Sequence, residues 1–456
     1  MASAITHPTP LGVGEEAPPR QGLPPGPPRM GPVLQTLVWT VAPTVLMDHC
    51  FARRGEAFTL TFSPSGRQLV MISDPAAVKT LLTAPPEVAP SAAGDTPIAS
   101  VLGPRSVITL TGPEHMRQRK LLLPPFHGER MRAYENTIAQ ATARDMAGWR
   151  LGQPMRLSRH TRTITLEVIL RAVFGVEAER MSALARAIGE LAEPARTLAM
   201  LRFALSKPSK DRPPGELGKA LDRLDALIYA EIARRREQQD LGEREDILSL
   251  LLQARDEDGA AMTDGELRDE LVSLLLAGHE TTSTATAWAI ERLARHPHAL
   301  ARLVAEIDAG EQDDYMQAVI HETLRTRPVV PGVVRLLTEP LTVGDRELPA
   351  GTRVVASIYL TNRNPRVYSD PSEFRPERFL DTPPDTFAWI PFGGGIRRCI
   401  GASFAMLEMK TMLRTMLAEL HPSVPPRSPW RRGEWNRRRA ITLVPAAGAR
   451  VVWTRR

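Results

Sequence analysis

A cysteine in a glycine-rich loop is the feature of this chain with the clearest chemical potential. Cys399 lies in the segment Phe392-Gly-Gly-Gly-Ile-Arg-Arg-Cys399-Ile-Gly401, just before a predicted helix over 402–420. The three glycines allow the backbone to turn tightly and to approach a flat ligand closely. Unpaired N–H groups at a helix N-terminus, together with two neighbouring arginines, favour the thiolate form of a cysteine. The segment therefore predicts a thiolate beside a flat ligand, whereas a cysteine without this spacing would more often be an inert buried thiol.

A second chemical feature lies in the middle of a long predicted helix. Thr263-Asp-Gly-Glu266 is a capping box. The helix that it begins is expected to continue to about Arg295, which makes it about 50 Å long. Its centre reads Ala277-Gly-His-Glu-Thr-Thr282. Glycine and threonine are poor helix formers, and such a conflict tends to mark a functional site. The alternative is a threonine that only donates to the carbonyl four residues earlier and bends the helix.

An acid and a base stand three residues apart in Glu322-Thr-Leu-Arg325. Residues at this spacing lie on one face of a helix. Taken alone, the pair is typical of an exposed ion pair of little energetic weight. It gains significance because Phe374-Arg-Pro-Glu-Arg378-Phe379 and the cysteine loop follow it along the chain.

The elements that must position these residues are mainly helical. Of 456 residues, 43% are apolar and only 5% aromatic, and Leu, Ala, Arg and Glu recur at helical spacing. A hairpin is predicted over 58–72, with short strands near 333–337, 341–343, 353–358, 441–444 and 451–453. Residues 84–112 are predicted to be a long loop, which is usually functional inside a compact domain. We expect a Pro/Gly-rich, partly disordered lead-in over 1–32, and one mainly α domain with a minor β region over 33–456.

Composition and charge exclude several classes of protein. Only Cys50 and Cys399 are present, so disulfides are not expected and a reducing cytoplasm fits best. The net charge of +6 is concentrated in residues 427–456, with nine arginines and one glutamate, so nucleic-acid binding is not indicated. This tail is expected to be a solvated hairpin, with contact to an acidic partner or anionic lipid as the alternative. A signal peptide is not expected, because the first residues lack a basic region followed by an apolar core. A transmembrane anchor is not expected either, because Pro43 interrupts the moderately apolar stretch 33–47, which is shorter than the roughly 20 residues of a spanning helix.

The motifs, in this order, resemble the cytochrome P-450 superfamily. The spacing Phe-x-x-Gly-x-Arg-x-Cys-x-Gly around Cys399 resembles its haem-ligand loop, and Glu322-Thr-Leu-Arg325 resembles its E-x-x-R motif. Residues 277–282 resemble the oxygen-activation segment of its long central helix. The stretch 112–131 is similar to soluble bacterial members. The resemblance covers roughly residues 25 to 455, and the combined motifs are highly specific.

The resemblance implies the mainly α cytochrome P-450 fold, with haem b (iron protoporphyrin IX) as cofactor. Cys399 would ligate the iron, where its electron density favours O–O cleavage. Glu322, Arg325 and Arg378 would interlock to hold the cysteine loop. Two haem propionates need cationic, bidentate partners, and the implied set is His115, Arg119, Arg335 and Arg397. The implied haem contacts as a whole are His115, Arg119, Ala277, Gly278, Arg335, Phe392, Gly395, Arg397, Cys399 and Gly401.

The central helix would carry the oxygen chemistry by the same resemblance. Gly278 would open a gap over the iron where O2 can bind. Thr281 would donate a hydrogen bond there, and Glu280 would relay protons from solvent.

The implied activity is a monooxygenase that inserts one oxygen atom from O2 into a hydrophobic small molecule, such as a lipid-like or terpenoid compound. The implied pocket lining is 98–110, 198–203, Leu276, Ala277 and 330–334, mostly aliphatic residues. Electrons would come from a ferredoxin and an NAD(P)H-dependent ferredoxin reductase. The acidic ferredoxin would dock near Arg119, Lys120, Arg397 and Arg398. A monomer is expected. The alternatives are a peroxygenase driven by hydrogen peroxide and a non-catalytic haem protein that senses gas or recruits another enzyme.

Overall fold

A computed structural model of the chain describes residues 20–96, 98–126, 130–175, 178–192, 213, 215–310, 312–380, 382–426 and 433–456. Local capping signals begin many of its helices. The Asp74 carboxylate accepts the Ala77 N–H at 2.9 Å, and Asp246 accepts the Ser249 N–H at 3.0 Å. The α-helices span Pro32–Val41, Pro43–Arg54, Pro75–Thr83, Ala99–Leu102, Gly112–Leu122, Arg130–Met146, Leu157–Phe174, Ala178–Ala192, Glu216–Arg236, Ile247–Gln253, Asp264–Arg295, Pro297–Ala309, Asp314–Thr326, Ile358–Thr361 and Ala402–Glu419.

The longest helix, Asp264–Arg295, is the central helix of the structure. The predicted capping box is present, because Thr263 Oγ1 accepts from the Glu266 N–H while the Glu266 carboxylate accepts from the Thr263 N–H. Most of its second half is buried, and the helices Leu157–Phe174 and Ala402–Glu419 pack against it. The main apolar core surrounds this helix, so its midpoint lies deep in the protein.

Four small sheets lie beside the helices. The largest has the strand order Ala57–Phe62, Arg67–Ile72, Arg353–Ala356, Val333–Leu336, and it includes the predicted hairpin. One three-stranded sheet combines Arg20–Gln21, Arg346–Leu348 and Leu341–Val343, and another combines Pro154–Arg156, Arg450–Arg455 and Leu420–Ser423. Asn436–Arg439 and Thr442–Pro445 form a two-stranded antiparallel hairpin.

The apolar stretch 33–47 is interrupted at Pro43, as expected from the sequence. The helix Pro32–Val41 ends there, Ala42 is not helical, and Pro43 is the first residue of a second helix, Pro43–Arg54, a position where the missing N–H costs nothing. Within the described ranges, no helix combines the length and the apolar character that crossing a bilayer requires.

Candidate active site

The cysteine loop is shaped by glycines and closed by backbone hydrogen bonds. The Cys399 N–H donates to the Phe392 carbonyl at 2.9 Å, and the Arg398 N–H donates to the Gly395 carbonyl at 3.1 Å. Gly395 has φ +63°, and a Cβ at this position would overlap the Leu82 carbonyl oxygen. Only glycine fits at this point, because the helix Pro75–Thr83 supports the loop from behind.

Cys399 faces an interior space. Its side chain is solvent-accessible, yet protein atoms surround it closely enough for burial to be the largest influence on its pKa. Burial raises the pKa of the Cys399 thiol, while the Gly401 N–H, Arg119 and Arg398 act in the opposite direction. Of the two neighbouring arginines expected to favour the thiolate, Arg398 does so, Arg119 acts in place of Arg397, and burial outweighs both.

The central helix supplies another accessible surface inside the protein. Ala277 is exposed and Gly278, Glu280 and Thr281 are partly accessible, although residues 282–293 of the same helix are all buried. The loop 103–110 joins this helix to the cysteine loop: Ser106 Oγ lies 2.6 Å from Ser273 Oγ, and Arg397 donates to the Val107 carbonyl at 3.3 Å. From the accessibility of Cys399 and of residues 277, 280 and 281, we infer one space bounded by this loop, the middle of the central helix and Cys399, and we call it the hollow.

Four cation-forming side chains converge beside the hollow. The pKa of His115 is lowered to about 4, first by burial and then by Arg397, Arg119 and Arg335. Burial also lowers the pKa of Arg335 to about 10 and that of Arg397 to about 10. No carboxylate of the described residues counters these charges, and the one opposing group is the Cys399 sulfur, which acts on Arg119. His115 Nδ1 is buried and has no hydrogen-bond partner among the described residues. Like charges gathered in this way create a binding site for an anion.

Arg397 and Arg119 point inward, which bears on the predicted ferredoxin surface. Arg397 donates to the carbonyls of Val107, Ile108 and Leu110, so its guanidinium faces the loop 103–110. Lys120 is exposed but paired with Glu257 at 2.6 Å. Of the four cations in the predicted docking surface, Arg398 is the one that is exposed with no carboxylate partner among the described residues.

Glu280 is held by two arginines that were not predicted from the sequence. Arg162 Nε lies 3.3 Å from Glu280 Oε2, and Arg439 Nη1 lies 3.2 Å from Glu280 Oε1. One arginine comes from the helix Leu157–Phe174 and the other from the C-terminal hairpin. Glu280 therefore lies between the hollow and two basic groups contributed by distant parts of the chain.

The Thr281 hydroxyl forms the hydrogen bond that was the structural alternative for this segment, a bond to the carbonyl four residues earlier. This hydroxyl donates to the Ala277 carbonyl at 2.6 Å, and Thr282 donates in the same way to the Gly278 carbonyl at 3.2 Å. Such bonds bend helices. The Thr281 hydroxyl oxygen can still accept a hydrogen bond, and its side chain stays accessible.

Gly278 has a packing role in this structure. A Cβ here would lie 3.0 Å from Ile169 Cδ1, so the space that glycine leaves is filled by the helix Leu157–Phe174. Its neighbour Ala277 is more accessible at the hollow than Gly278 itself.

Glu322 and Arg325 form a fully buried bidentate pair. Arg325 Nε and Nη2 lie 2.6 and 2.8 Å from the two carboxylate oxygens. Arg378 Nε and the Arg375 N–H, at 3.2 and 2.8 Å, also reach Glu322 Oε1. The charges of this buried pair are compensated by hydrogen bonds with surrounding groups. The pair therefore differs from the exposed ion pair that the spacing of the two residues alone would predict.

The same pair is connected to the cysteine loop. Arg325 donates to the Asn362 carbonyl at 3.1 Å, and the Asn362 side chain accepts the Ile390 N–H at 2.9 Å. Trp389 Nε1 donates to the His321 carbonyl at 3.1 Å, and its ring lies 6.1 Å from that of Phe392. Glu322, Arg325 and Arg378 thus come together as predicted, one step from the segment that leads to Cys399.

Comparison with known proteins identifies the family. The cytochrome P450 family model matches residues 24–447. Cytochrome P450 135B1 of Mycobacterium tuberculosis is 40% identical over 438 residues, which cover 94% of this chain and 91% of the relative. This chain is a cytochrome P450. Cytochrome P450 137 of the same organism is 39% identical, with 89% of this chain and 84% of the relative covered.

The fold of the chain is also that of solved P450 structures. The cyanobacterial CYP120A1, solved with retinoic acid bound, superposes with a TM-score of 0.80 at 25% identity, covering 95% of this chain and all of that one. The haem domain of cytochrome P450DA superposes equally well at 23% identity, covering 96% and 99%. The predicted mainly α P450 fold is confirmed, and as a family member the chain is a P450 monooxygenase.

The residues present fit the haem that the P450 family uses. An accessible cysteine faces an interior space, and beside it lie three arginines and a histidine that lack an anion. Propionate carboxylates are the anions that a haem would bring to this place.

One residue near the site was missed entirely. Glu408, on the helix that follows the cysteine loop, is buried, and burial raises its pKa to about 8, although the nearby Thr282 hydroxyl acts in the opposite direction. The only sequence signal for Glu408 was the position of an acidic residue on the apolar face of a predicted helix. The part of the implied pocket lining at 198–203 lies outside the described residues.

Proposed function

We propose that this P450 holds haem b through Cys399 and inserts one oxygen atom from O2 into a hydrophobic small molecule. Electrons would come from a ferredoxin and an NAD(P)H-dependent ferredoxin reductase. The supporting observation is the group of three buried or half-buried arginines around His115, which has no carboxylate partner in the described chain and lies beside an accessible cysteine.

The cationic group would hold the cofactor by its carboxylates. Arg335 and Arg397 approach from the sheet and from the cysteine loop, and Arg119 and His115 share one helix. Cys399 would ligate the iron as thiolate, with the Gly401 N–H donating to its sulfur. When bound, the haem supplies an iron that accepts two electrons and activates O2.

Proton supply would fall to the central helix. Thr281 Oγ1 holds a proton that is now directed at the Ala277 carbonyl, and rotation about χ1 would direct it into the hollow. Glu280 is the residue next to Thr281 in the chain. Its two arginine partners would keep its carboxylate at the solvent end of this proton path. Releasing one arginine would free an oxygen of Glu280 to pass a proton from solvent to Thr281.

The described lining favours a hydrophobic substrate. Ile98, Ile108, Leu276 and Val334 are partly buried aliphatic residues near the hollow. They offer apolar contact and little polar recognition, so size and shape would select the substrate weakly. CYP120A1 is solved with retinoic acid, a largely hydrocarbon molecule that carries one carboxylic acid.

A Thr281→Ala variant tests the proposal. We expect it to bind haem and substrate normally but to release most of the consumed electrons as hydrogen peroxide, because the proton donor at the hollow is gone. Product and peroxide per NAD(P)H are the measurements. Ser283→Ala is the matched control, since Ser283 is buried and back-bonds to the Glu280 carbonyl at 3.0 Å. Unchanged coupling in Thr281→Ala, or peroxide-driven turnover equal to that with redox partners, would contradict the proposed oxygen route.

A further inference from the structure

An exposed aliphatic stripe runs along the first two helices. Eleven large hydrophobic side chains are exposed among the described residues, and five of them fall between positions 33 and 45. Val33, Leu37, Val41 and Val45 are 61, 58, 59 and 56% exposed, and Leu34 is 47% exposed. No charged residue occurs from 30 to 47. A contiguous apolar surface of this kind marks an interaction site.

The opposite side of the same helices is already used for packing. Leu46 and Met47 are buried in a cluster with Phe58, Val355 and Leu443, while Val38 and Trp39 pack against its edge. The stripe is therefore the outward face of a pair of amphipathic helices, and its side chains are not needed for the core.

Arginines outnumber carboxylates around this stripe. The exposed Asp48 lies at its border, three residues after Val45, and accepts a hydrogen bond from the Tyr359 hydroxyl at 2.9 Å. The segments 20–47, 62–68 and 435–445 contain no Asp or Glu. Arg29 directly precedes the stripe and Arg67 lies on the neighbouring hairpin. The Arg438 guanidinium lies 5.6 Å from the centre of the Trp39 ring, which fixes the C-terminal hairpin beside the first helix. That hairpin also carries the exposed Arg437 and, at its turn, Ile441, which is 51% exposed.

We propose that this face binds the surface of a lipid bilayer that contains anionic headgroups. The aliphatic side chains would enter the boundary between headgroups and acyl chains, and the arginines would bind phosphates. A ten-residue helix is about 15 Å long, half of the roughly 30 Å of hydrocarbon, so it lies in the interface plane.

Two observations favour lipid over a protein occupant. A second copy in a two-fold dimer would bring the same arginines against one another, which repel. The stripe also lacks the exposed aromatic side chains that dominate protein interfaces, since it consists of Val and Leu. The packed cluster below the stripe reaches Val334 in the implied substrate pocket, so the lipid-binding face and the pocket share one apolar layer.

Vesicle flotation of the full haem-containing protein tests the proposal. We expect partition onto vesicles of phosphatidylcholine with phosphatidylglycerol, weakened by high salt, and little partition onto phosphatidylcholine alone. Val41→Asp should reduce partition about tenfold or more, since it replaces a membrane-buried valine with a charge. Val367→Asp, at an exposed valine elsewhere, should leave it unchanged.

The arginine contribution has its own control. Arg437→Gln should weaken binding to the anionic vesicles about fivefold, from roughly 1 kcal/mol for each arginine near such a surface, whereas the exposed Arg150→Gln should not. Absence of flotation by wild-type protein would overturn the proposal, as would equal partition of Val41→Asp and Val367→Asp. A dimer that Val41→Asp dissociates, with no vesicle binding, would assign the face to a second copy instead. Flotation needs no turnover, so its outcome is independent of the proposed oxidation.

Discussion

At the scale of single residues, the charges around His115 explain why the site needs a ligand. Three arginines gather beside a histidine whose pKa falls to about 4, and burial is the first cause of that shift. Placing cations together without an anion costs free energy of folding. The protein without haem should therefore be strained at this point, and a dicarboxylate cofactor would relieve the repulsion.

Arg335→Met separates cofactor binding from folding. Removing a buried charge should leave the thermal stability of the haem-free protein unchanged or higher. Haem should dissociate about tenfold faster or more, because a charge-assisted bond to a propionate is lost. Transfer of haem to apomyoglobin measures the rate, and calorimetry measures the stability.

Arg353→Met is the control for this prediction, since Arg353 lies in the adjacent strand and pairs with Asp95 at 3.4 Å. Equal haem loss from both variants and wild type would show that Arg335 does not hold the cofactor.

At the scale of elements, the cysteine loop depends on one backbone conformation. Gly395→Ala should lower the free energy of unfolding by about 2 kcal/mol or more, because alanine is strained at φ +63° and its Cβ would overlap the Leu82 carbonyl. Haem occupancy should fall with it. Gly189→Ala, in a helix and with open space around the added methyl, should be neutral or stabilising. A fully loaded, equally stable Gly395→Ala protein would contradict the proposed rigidity of the loop.

The loop 103–110 is attached to the central helix by acidic side chains. Glu270 Oε1 accepts the Val107 N–H at 2.7 Å, and Asp269 Oδ2 accepts the Arg105 N–H at 2.9 Å. The other Glu270 oxygen has no partner among the described residues. Burial raises the pKa of Glu270 to about 8. The charges of Asp269 and Glu266 raise this pKa further, whereas the hydrogen bond from the Val107 N–H lowers it. Near neutral pH this side chain is therefore mostly a neutral acid.

Glu270→Gln should make stability less dependent on pH. The folded protein keeps a proton on Glu270 that the unfolded chain releases near the ordinary value of 4.5, so stability is lost as pH rises from there to about 8. Glutamine keeps the acceptor for Val107 and has no charge to bury. Measured by denaturant unfolding, the free energy of unfolding should decline less between pH 5 and pH 8 than in wild type. Some decline should remain, because Glu408 also has a raised pKa and loses stability over the same pH range. The exposed Glu419→Gln is the control, and an unchanged slope in Glu270→Gln would contradict the assignment.

Helices with strong end signals could be predicted from the sequence. The strands near 333–337, 341–343, 353–358, 441–444 and 451–453 were also predicted and are present, whereas several other short strands were missed. The capping box at Thr263 and Asp74 before Pro75 specify their helices locally. The strands Arg20–Gln21 and Pro154–Arg156 have two and three residues and pair with segments hundreds of residues away. Such pairing depends on the tertiary structure, so it has no local pattern.

At the scale of the whole molecule, the sequence motifs identified the site residues, but they did not predict all the contacts that these residues make. The interlock of Glu322, Arg325 and Arg378 was expected from the resemblance and is present. The two arginines on Glu280 were not expected, because one of them comes from the C-terminal hairpin, 159 positions beyond the acid. The filling of the Gly278 space by Ile169 depends on helix packing in the same way.

The carbon monoxide difference spectrum of the reduced protein tests the central claim, that Cys399 ligates a haem iron. We expect a strongly red-shifted Soret band in wild type and in Cys50→Ala, since Cys50 is buried in a separate apolar cluster. The band should be lost in Cys399→Ser, which keeps the loop but not the thiolate. Haem-containing wild type without this band, or a band that persists in Cys399→Ser, would contradict thiolate ligation by Cys399 and with it the proposed activity.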